Sequence, residues 1–112
     1  MLVLFLKLLI GHAFCDFALQ PTAMAIGKCK TKINQKNPKS GEGSPDWYYW
    51  LGAHTLIHGG AVWLITGNVY IGMTEIILHW IIDQMKCNNR TKMHIDQFLH
   101  IACKVIYVFF VT

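Results

Sequence analysis

Glu75-Ile-Ile-Leu-His79-Trp-Ile-Ile-Asp83-Gln-Met-Lys86 is the stretch whose reading decides the fold. Its ionisable residues Glu75, His79 and Asp83 recur at every fourth position of an otherwise apolar run. On an α-helix that spacing gathers them into one polar stripe with oily residues on the other sides. Packing alone does not require such a stripe. Asp96-Gln-Phe-Leu-His100-Ile-Ala-Cys-Lys104 repeats the pattern with the same spacing. If the segment from Met93 to Thr112 folds back antiparallel on Val69 to Cys87, Asp83 meets Asp96, His79 meets His100 and Glu75 meets Lys104. Three polar layers result, one helical turn apart.

Composition says where such a helix pair would live. The chain has 112 residues, of which 54% are hydrophobic and 14% charged, and its mean hydropathy is +0.35. One unit this oily and this short is expected to be a membrane protein. Of its ten Lys and Arg, Lys28, Lys30, Lys32, Lys36 and Lys39 lie in one polar segment and Lys86, Arg90 and Lys92 in another. Clustering of this kind marks cytoplasmic loops. The lysines have no interleaved aromatics, which argues against a nucleic-acid partner. Cys15, Cys29, Cys87 and Cys103 form no C-x-x-C pair. Cys29 and Cys87 fall in segments expected to face a reducing cytosol, so free thiols are predicted. Ala23-Met-Ala25 resembles a signal-peptide cleavage site, but there is no basic leader, and His12 and Asp16 interrupt the apolar run; the N-terminus is expected to stay as a helix.

The remaining helices follow from the same rules. Leu2 to Gln20 is apolar apart from Lys7, His12, Asp16 and Gln20 and stops before Pro21. Residues 26–44 hold almost no large apolar side chain and are expected to be a mobile basic loop. Ser44-Pro45-Asp46 reads as an N-cap, a first-turn proline and an acid suited to a helix start. Trp47-Tyr48-Tyr49-Trp50 is an aromatic belt opening a helix that carries His54 and His58, then Gly59-Gly60, where a second backbone can approach closely. The expected fold is therefore all-α: one antiparallel four-helix transmembrane bundle over residues 1–112, with helices at about 2–20, 46–66, 69–87 and 93–112. Basic first and third connections put both termini on the non-cytoplasmic side, and the expected location is the cytoplasmic (inner) membrane.

At this topology the polar residues acquire a common depth. Asp16, Asp83 and Asp96 lie nearest the cytoplasm, His12, His54, His79 and His100 next, and His58, Glu75 and Lys104 deepest. Imidazoles and carboxylates converging inside a bundle suit zinc or another divalent transition metal, and the number of donors suggests one or two ions sharing a bridging carboxylate. His12, Asp16, His54, His79, Asp83 and His100 are the expected metal ligands. Asp16 and Asp96 are also the candidates for proton acceptor in catalysis. Gln20, Lys86 and Gln97, at the mouth, are placed to hold a phosphate oxygen, with Lys28 a further such candidate. His58 is expected behind the ligands, and Glu75 with Lys104 as an ion pair beneath the site. His94 is expected to be an ordinary exposed residue.

His12-x3-Asp16-Phe17-x-Leu19-Gln20, the later His54, His79-x3-Asp83-x2-Lys86 and Asp96-Gln97-x2-His100 resemble the uncharacterised bacterial and phage membrane proteins grouped as domain of unknown function 3307. The likeness spans nearly the whole chain. More distantly the chain is similar to small inner-membrane proteins described as metal-dependent hydrolases, and its H-x3-D pairs are similar to those of zinc-dependent phospholipase C. The expected function is a membrane-embedded metal-dependent hydrolase acting on a lipid or other phosphoester near the cytoplasmic leaflet. The alternative is non-catalytic: a metal-binding or proton-handling membrane protein, or a phage factor acting on the host envelope through helix contacts. Membrane lipid is the expected partner, and Gly59-Gly60 suggests homo-oligomers.

Overall fold

The computed structural model describes residues 1–20, 22–29 and 47–112. Among these the chain is entirely helical. α1 runs Leu2–Ala13 and continues as a π-helical turn, Phe14–Ala18; α2 is the short Thr22–Gly27; α3 is Trp47–Thr66, α4 Val69–Cys87 and α5 Met93–Val111. The expected cap at Ser44-Pro45-Asp46 and all but the first few residues of the expected 26–44 loop lie outside the described residues. Those first few are ordered: Ile26 and Gly27 end α2, and Lys28 and Cys29 are buried.

α3 and α4 end where their sequence supplies a stop. Gly67 takes a positive φ of 70°, and the Asn68 side chain then caps α4 by accepting from the backbone N–H of Tyr70 at 2.9 Å and Ile71 at 3.3 Å. So tight a turn forces α3 and α4 to lie antiparallel. At the other end of α4, Asn89 adopts φ 61°, the left-handed conformation that terminates helices. α1 and α4 each pack on both α3 and α5, and α2 packs on α3.

The closest approach is between α3 and α4. A Cβ added at Gly59 would sit 2.8 Å from the Gly72 carbonyl oxygen and collide with Ile76, and one added at Gly72 would sit 2.8 Å from the Gly59 oxygen. Gly59 is therefore spent inside the bundle. Gly60 has nothing within 4 Å and faces outward.

What the bundle buries is inverted with respect to a water-soluble domain. Among the described residues, twelve polar or charged ones are buried, against eleven apolar ones, while twenty-seven large apolar side chains are exposed. The apolar core is small and gathers at one end, where Leu8, Val62, Ile71, Tyr107 and Val108 meet. The polar core fills the other. α5 is, among the described residues, the one helix long and apolar enough to cross a membrane by composition alone, with hydropathy 1.3. α3 and α4 are as long, at 20 and 19 residues, but their buried histidines and acids dilute them.

Candidate metal centre

The π turn is the first device of the site. Its wider ring is closed by the Leu19 N–H donating to the Phe14 carbonyl at 2.9 Å, and the Asp16 carbonyl is met by the Gln20 side chain, whose Nε2 donates at 2.9 Å. Such turns tend to occur at functional sites, where they re-aim a side chain. Here Asp16 is the side chain at its centre. Gln20, expected at the mouth, braces this turn instead.

Asp16 Oδ1 lies 2.9 Å from His58 Nε2, 3.3 Å from His54 Nε2 and 4.0 Å from His79 Nε2. Asp83 Oδ2 lies 3.3 Å from His54 Nε2 and 3.5 Å from His79 Nε2. The two nitrogens themselves, His54 Nε2 and His79 Nε2, are 3.2 Å apart. Two donors each about 2.0–2.1 Å from a tetrahedral zinc ion stand roughly 3.3 Å apart, so these separations match the edges of a tetrahedral coordination shell. The other Asp83 oxygen, Oδ1, is 3.2 Å from His100 Nε2, which is also 3.5 Å from Asp96 Oδ1. Asp83 Oδ1 joins Asp96 and His100 in one donor set, and its Oδ2 faces His54 and His79 of another, made of Asp16, His54, His58 and His79.

The tautomer of His79 is set from behind. Its Nδ1 donates to Glu75 Oε1 at 3.1 Å, and Glu75 in turn accepts from Lys104 Nζ at 2.6 Å and from the Tyr107 hydroxyl at 2.7 Å. With Nδ1 as the donor, a neutral His79 would hold its Nε2 lone pair toward Asp83 and His54, the arrangement found for imidazoles that bind metals. The ring is held between its neighbours, stacked on His58 at 3.7 Å and on His100 at 4.1 Å between centroids.

Charge completes the description. Asp16, Glu75, Asp83 and Asp96 are buried, and among the described residues only Lys28 and Lys104 are buried cations, with Lys86 at the rim 3.4 Å from Asp96. Lys104 answers Glu75, which leaves three carboxylates facing Lys28 and a half-solvated Lys86. The balance is one negative charge, which one protonated imidazole would offset; a divalent ion would offset the two charges left if Lys28 withdrew. The Asp96 Oδ1, His54 Nδ1, His12 Nδ1 and His100 Nδ1 atoms are buried without a hydrogen-bonding partner among the described residues. The donor set and its spacing fit a divalent transition metal.

The expected residues are thus brought together, with differences in detail. His12 does not join either donor set: its Nε2 faces Gln97 Oε1 at 3.0 Å and Asp16 Oδ2 at 3.3 Å, at the side of the cluster. His58 takes the place beside Asp16 rather than the deep layer beside Glu75. Gln97 is a hub, donating to Asp16 at 3.1 Å and Asp96 at 3.2 Å. His94 is exposed, as expected. Lys28 reaches Asp83 Oδ2 at 2.7 Å from a buried position, closer to the centre than a mouth residue. Tyr107 was not singled out from sequence; it lies one turn beyond Lys104, within reach of the same carboxylate. The expectation of free thiols at Cys29 and Cys87 is overturned, because the two are joined in a disulfide across 58 residues, whereas Cys15 and Cys103 are free. The pairing depends on where the α2 end docks, which spacing along the chain does not reveal.

Fold and site together define a small all-helical protein built around a buried histidine–carboxylate cluster. The chain belongs to the family described as "Protein of unknown function (DUF3307)", whose model matches residues 4–112. No curated protein and no solved structure matches it.

Proposed function

We propose that this protein is a multi-pass membrane protein of the cytoplasmic (inner) membrane and a metal-dependent hydrolase of a lipid or other phosphoester, with the metal at the cluster around Asp83. The observation that carries the reading is the set of 3.2–3.5 Å separations among His54 Nε2, His79 Nε2 and Asp83 Oδ2, with Asp16 Oδ1 at 3.3 Å from His54, all inside the bundle. The inverted burial pattern supports the membrane. In water, twenty-seven exposed large apolar side chains would be a heavy liability; against acyl chains they are an ordinary outer surface. α3, α4 and α5, at 19 or 20 residues, are about 30 Å long, the thickness of a bilayer core. Orientation rests on the basic segments, which put the site's end of the bundle at the cytoplasmic leaflet.

When bound, a divalent ion would supply an acidified water and polarise a phosphoryl oxygen. The chain's own residues do the rest. Asp83 offers one oxygen to each donor set, and His54, His58, His79 and His100 hold their Nε2 atoms toward them. Asp96, whose Oδ1 lies 3.5 Å from His100 Nε2, is the group placed to take a proton from an attacking water, and Lys86, 3.4 Å from its Oδ2, is placed to hold a phosphate oxygen.

One observation favours a second reading. Hydrogen-bonded and ionic contacts run without a break from Lys86 through Asp96, Gln97, Asp16, His54 and His79 to Glu75 and Lys104. Such a chain suits a proton-handling membrane protein with no catalytic role. Elemental analysis of purified protein separates the two. The hydrolase reading expects about one or two zinc-type ions per chain, lost in His79→Ala and Asp83→Ala, and release of headgroup or phosphate from labelled phospholipid that depends on Asp83. Metal-free protein that resists reloading would end it.

A further inference from the structure

Among the described residues, Lys28 is the cation nearest the centre of the site, 2% exposed, with its Nζ 2.7 Å from Asp83 Oδ2. That oxygen is the one Asp83 presents to His54 and His79, so Lys28 and an ion in the first donor set would compete for it. A lysine on a chain end could leave easily, since its stem is flexible and its ammonium prefers water. This lysine is not on a free end. The next residue, Cys29, is buried and cross-linked to Cys87, the last residue of α4, with the Cα atoms 5.1 Å apart. Asp83 lies one turn earlier on the same helix. The cross-link therefore fastens Lys28 to the very element that carries its partner, keeping the ammonium at high local concentration over Asp83.

We infer that the Cys29–Cys87 disulfide is a redox latch that holds the Lys28 ammonium on Asp83 and shuts that carboxylate to other cations until the pair is reduced. This rests on Asp83 as the centre of the site, as proposed above. Opening needs a two-electron reductant, a small dithiol. Its thiolate attacks one sulfur of the pair, its second thiol displaces the resulting mixed disulfide, and two electrons and two protons end on the Cys29 and Cys87 thiols while the reagent closes into its own disulfide. The side of the membrane then sets the resting state. At a cytosolic face the pair is kept reduced and the latch open; oxidation closes it.

The test uses the full chain in lipid nanodiscs and reads two quantities. In the first, an amine-acylating reagent labels the protein with and without the dithiol, and mass spectrometry follows Lys28. Labelling of Lys28 should be about tenfold faster once the pair is reduced, and equally fast without dithiol in Cys29→Ser/Cys87→Ser, as expected when a tether is cut. In the second, Co²⁺ is titrated and its absorption bands recorded, with no dithiol present because it would chelate the metal. Cys29→Ser/Cys87→Ser and Lys28→Met should each bind Co²⁺ about tenfold more tightly than the oxidised chain, and Lys28→Arg, with the cross-link intact, should not. Equal Lys28 labelling in all redox states overturns the latch, as does Lys28→Met binding Co²⁺ no better than an oxidised chain that does take it up. If redox-dependent labelling is seen but no form takes up Co²⁺, the latch stands and the metal reading of the site falls. Circular dichroism on each variant excludes loss of helix as the cause.

Discussion

Glu75 shows how much hangs on one side chain. Its carboxylate accepts from His79, Lys104 and Tyr107, none of them reachable by water. Replacing Glu75 by Gln leaves the Lys104 ammonium buried without its counter-charge, which costs about 3–5 kcal/mol. It also gives His79 Nδ1 an amide partner that can donate as well as accept, so Nε2 is no longer held as the lone-pair nitrogen. Glu75→Gln is therefore expected to lower both stability, measured by denaturant titration in micelles, and metal content. Adding Lys104→Met should recover much of the stability, because the unpaired charge is then gone, but not the metal. Full recovery of metal by the double variant would show that Glu75 acts only through Lys104. Asp83 is different in kind. Asp83→Asn keeps the shape and removes the charge that both donor sets share, so metal should be lost with little change in helicity, and Lys28 should become more reactive to acylation.

At the level of helices, the Gly59–Gly72 contact sets how near α3 and α4 come, and with it the 3.2 Å between His54 and His79. Gly72→Ala must push the helices apart and is expected to cost about 1–3 kcal/mol. Gly60→Ala, in open space on the same helix, should instead stabilise by about 0.5–1 kcal/mol through helix propensity. Opposite signs in thermal unfolding would confirm the packing; equal effects would refute it. The spacing of four between His12 and Asp16, His79 and Asp83, and Asp96 and His100 was legible because a helix turns any such pair onto one face, whatever surrounds it. The pairings of Glu75 with Lys104 and His54 with His79 followed from short turns. His58 did not follow, because its partner Asp16 is placed by the π turn, which brings that carboxylate within 2.9 Å of His58 Nε2. The π turn was invisible for a related reason: it adds one residue to a helical ring without changing residue type. The place of Lys28 and Cys29 hinges on α2, too short to announce itself by periodicity.

Taken whole, the described residues bury a cluster of charges and expose a large apolar surface, and that combination makes a sharp demand on their surroundings. Leu56 is 60% exposed near the middle of α3, and Ile77 is 61% exposed near the middle of α4. If α3 and α4 span a bilayer, both side chains lie near its midplane, where an arginine costs at least about 2.5–3.5 kcal/mol. If the same faces meet water, the same substitutions fall among surface changes worth about 0.5 kcal/mol or less. Leu56→Arg and Ile77→Arg are therefore expected to reduce the membrane-integrated fraction severalfold, measured by resistance of membrane pellets to alkaline carbonate. Tyr70→Arg supplies the control, since Tyr70 is 77% exposed on the first turn of α4, where a long cation reaches headgroup level at little cost. A midplane arginine tolerated as well as the one at position 70, with the protein remaining dispersed without detergent, would overturn the membrane reading and require another cover for these faces.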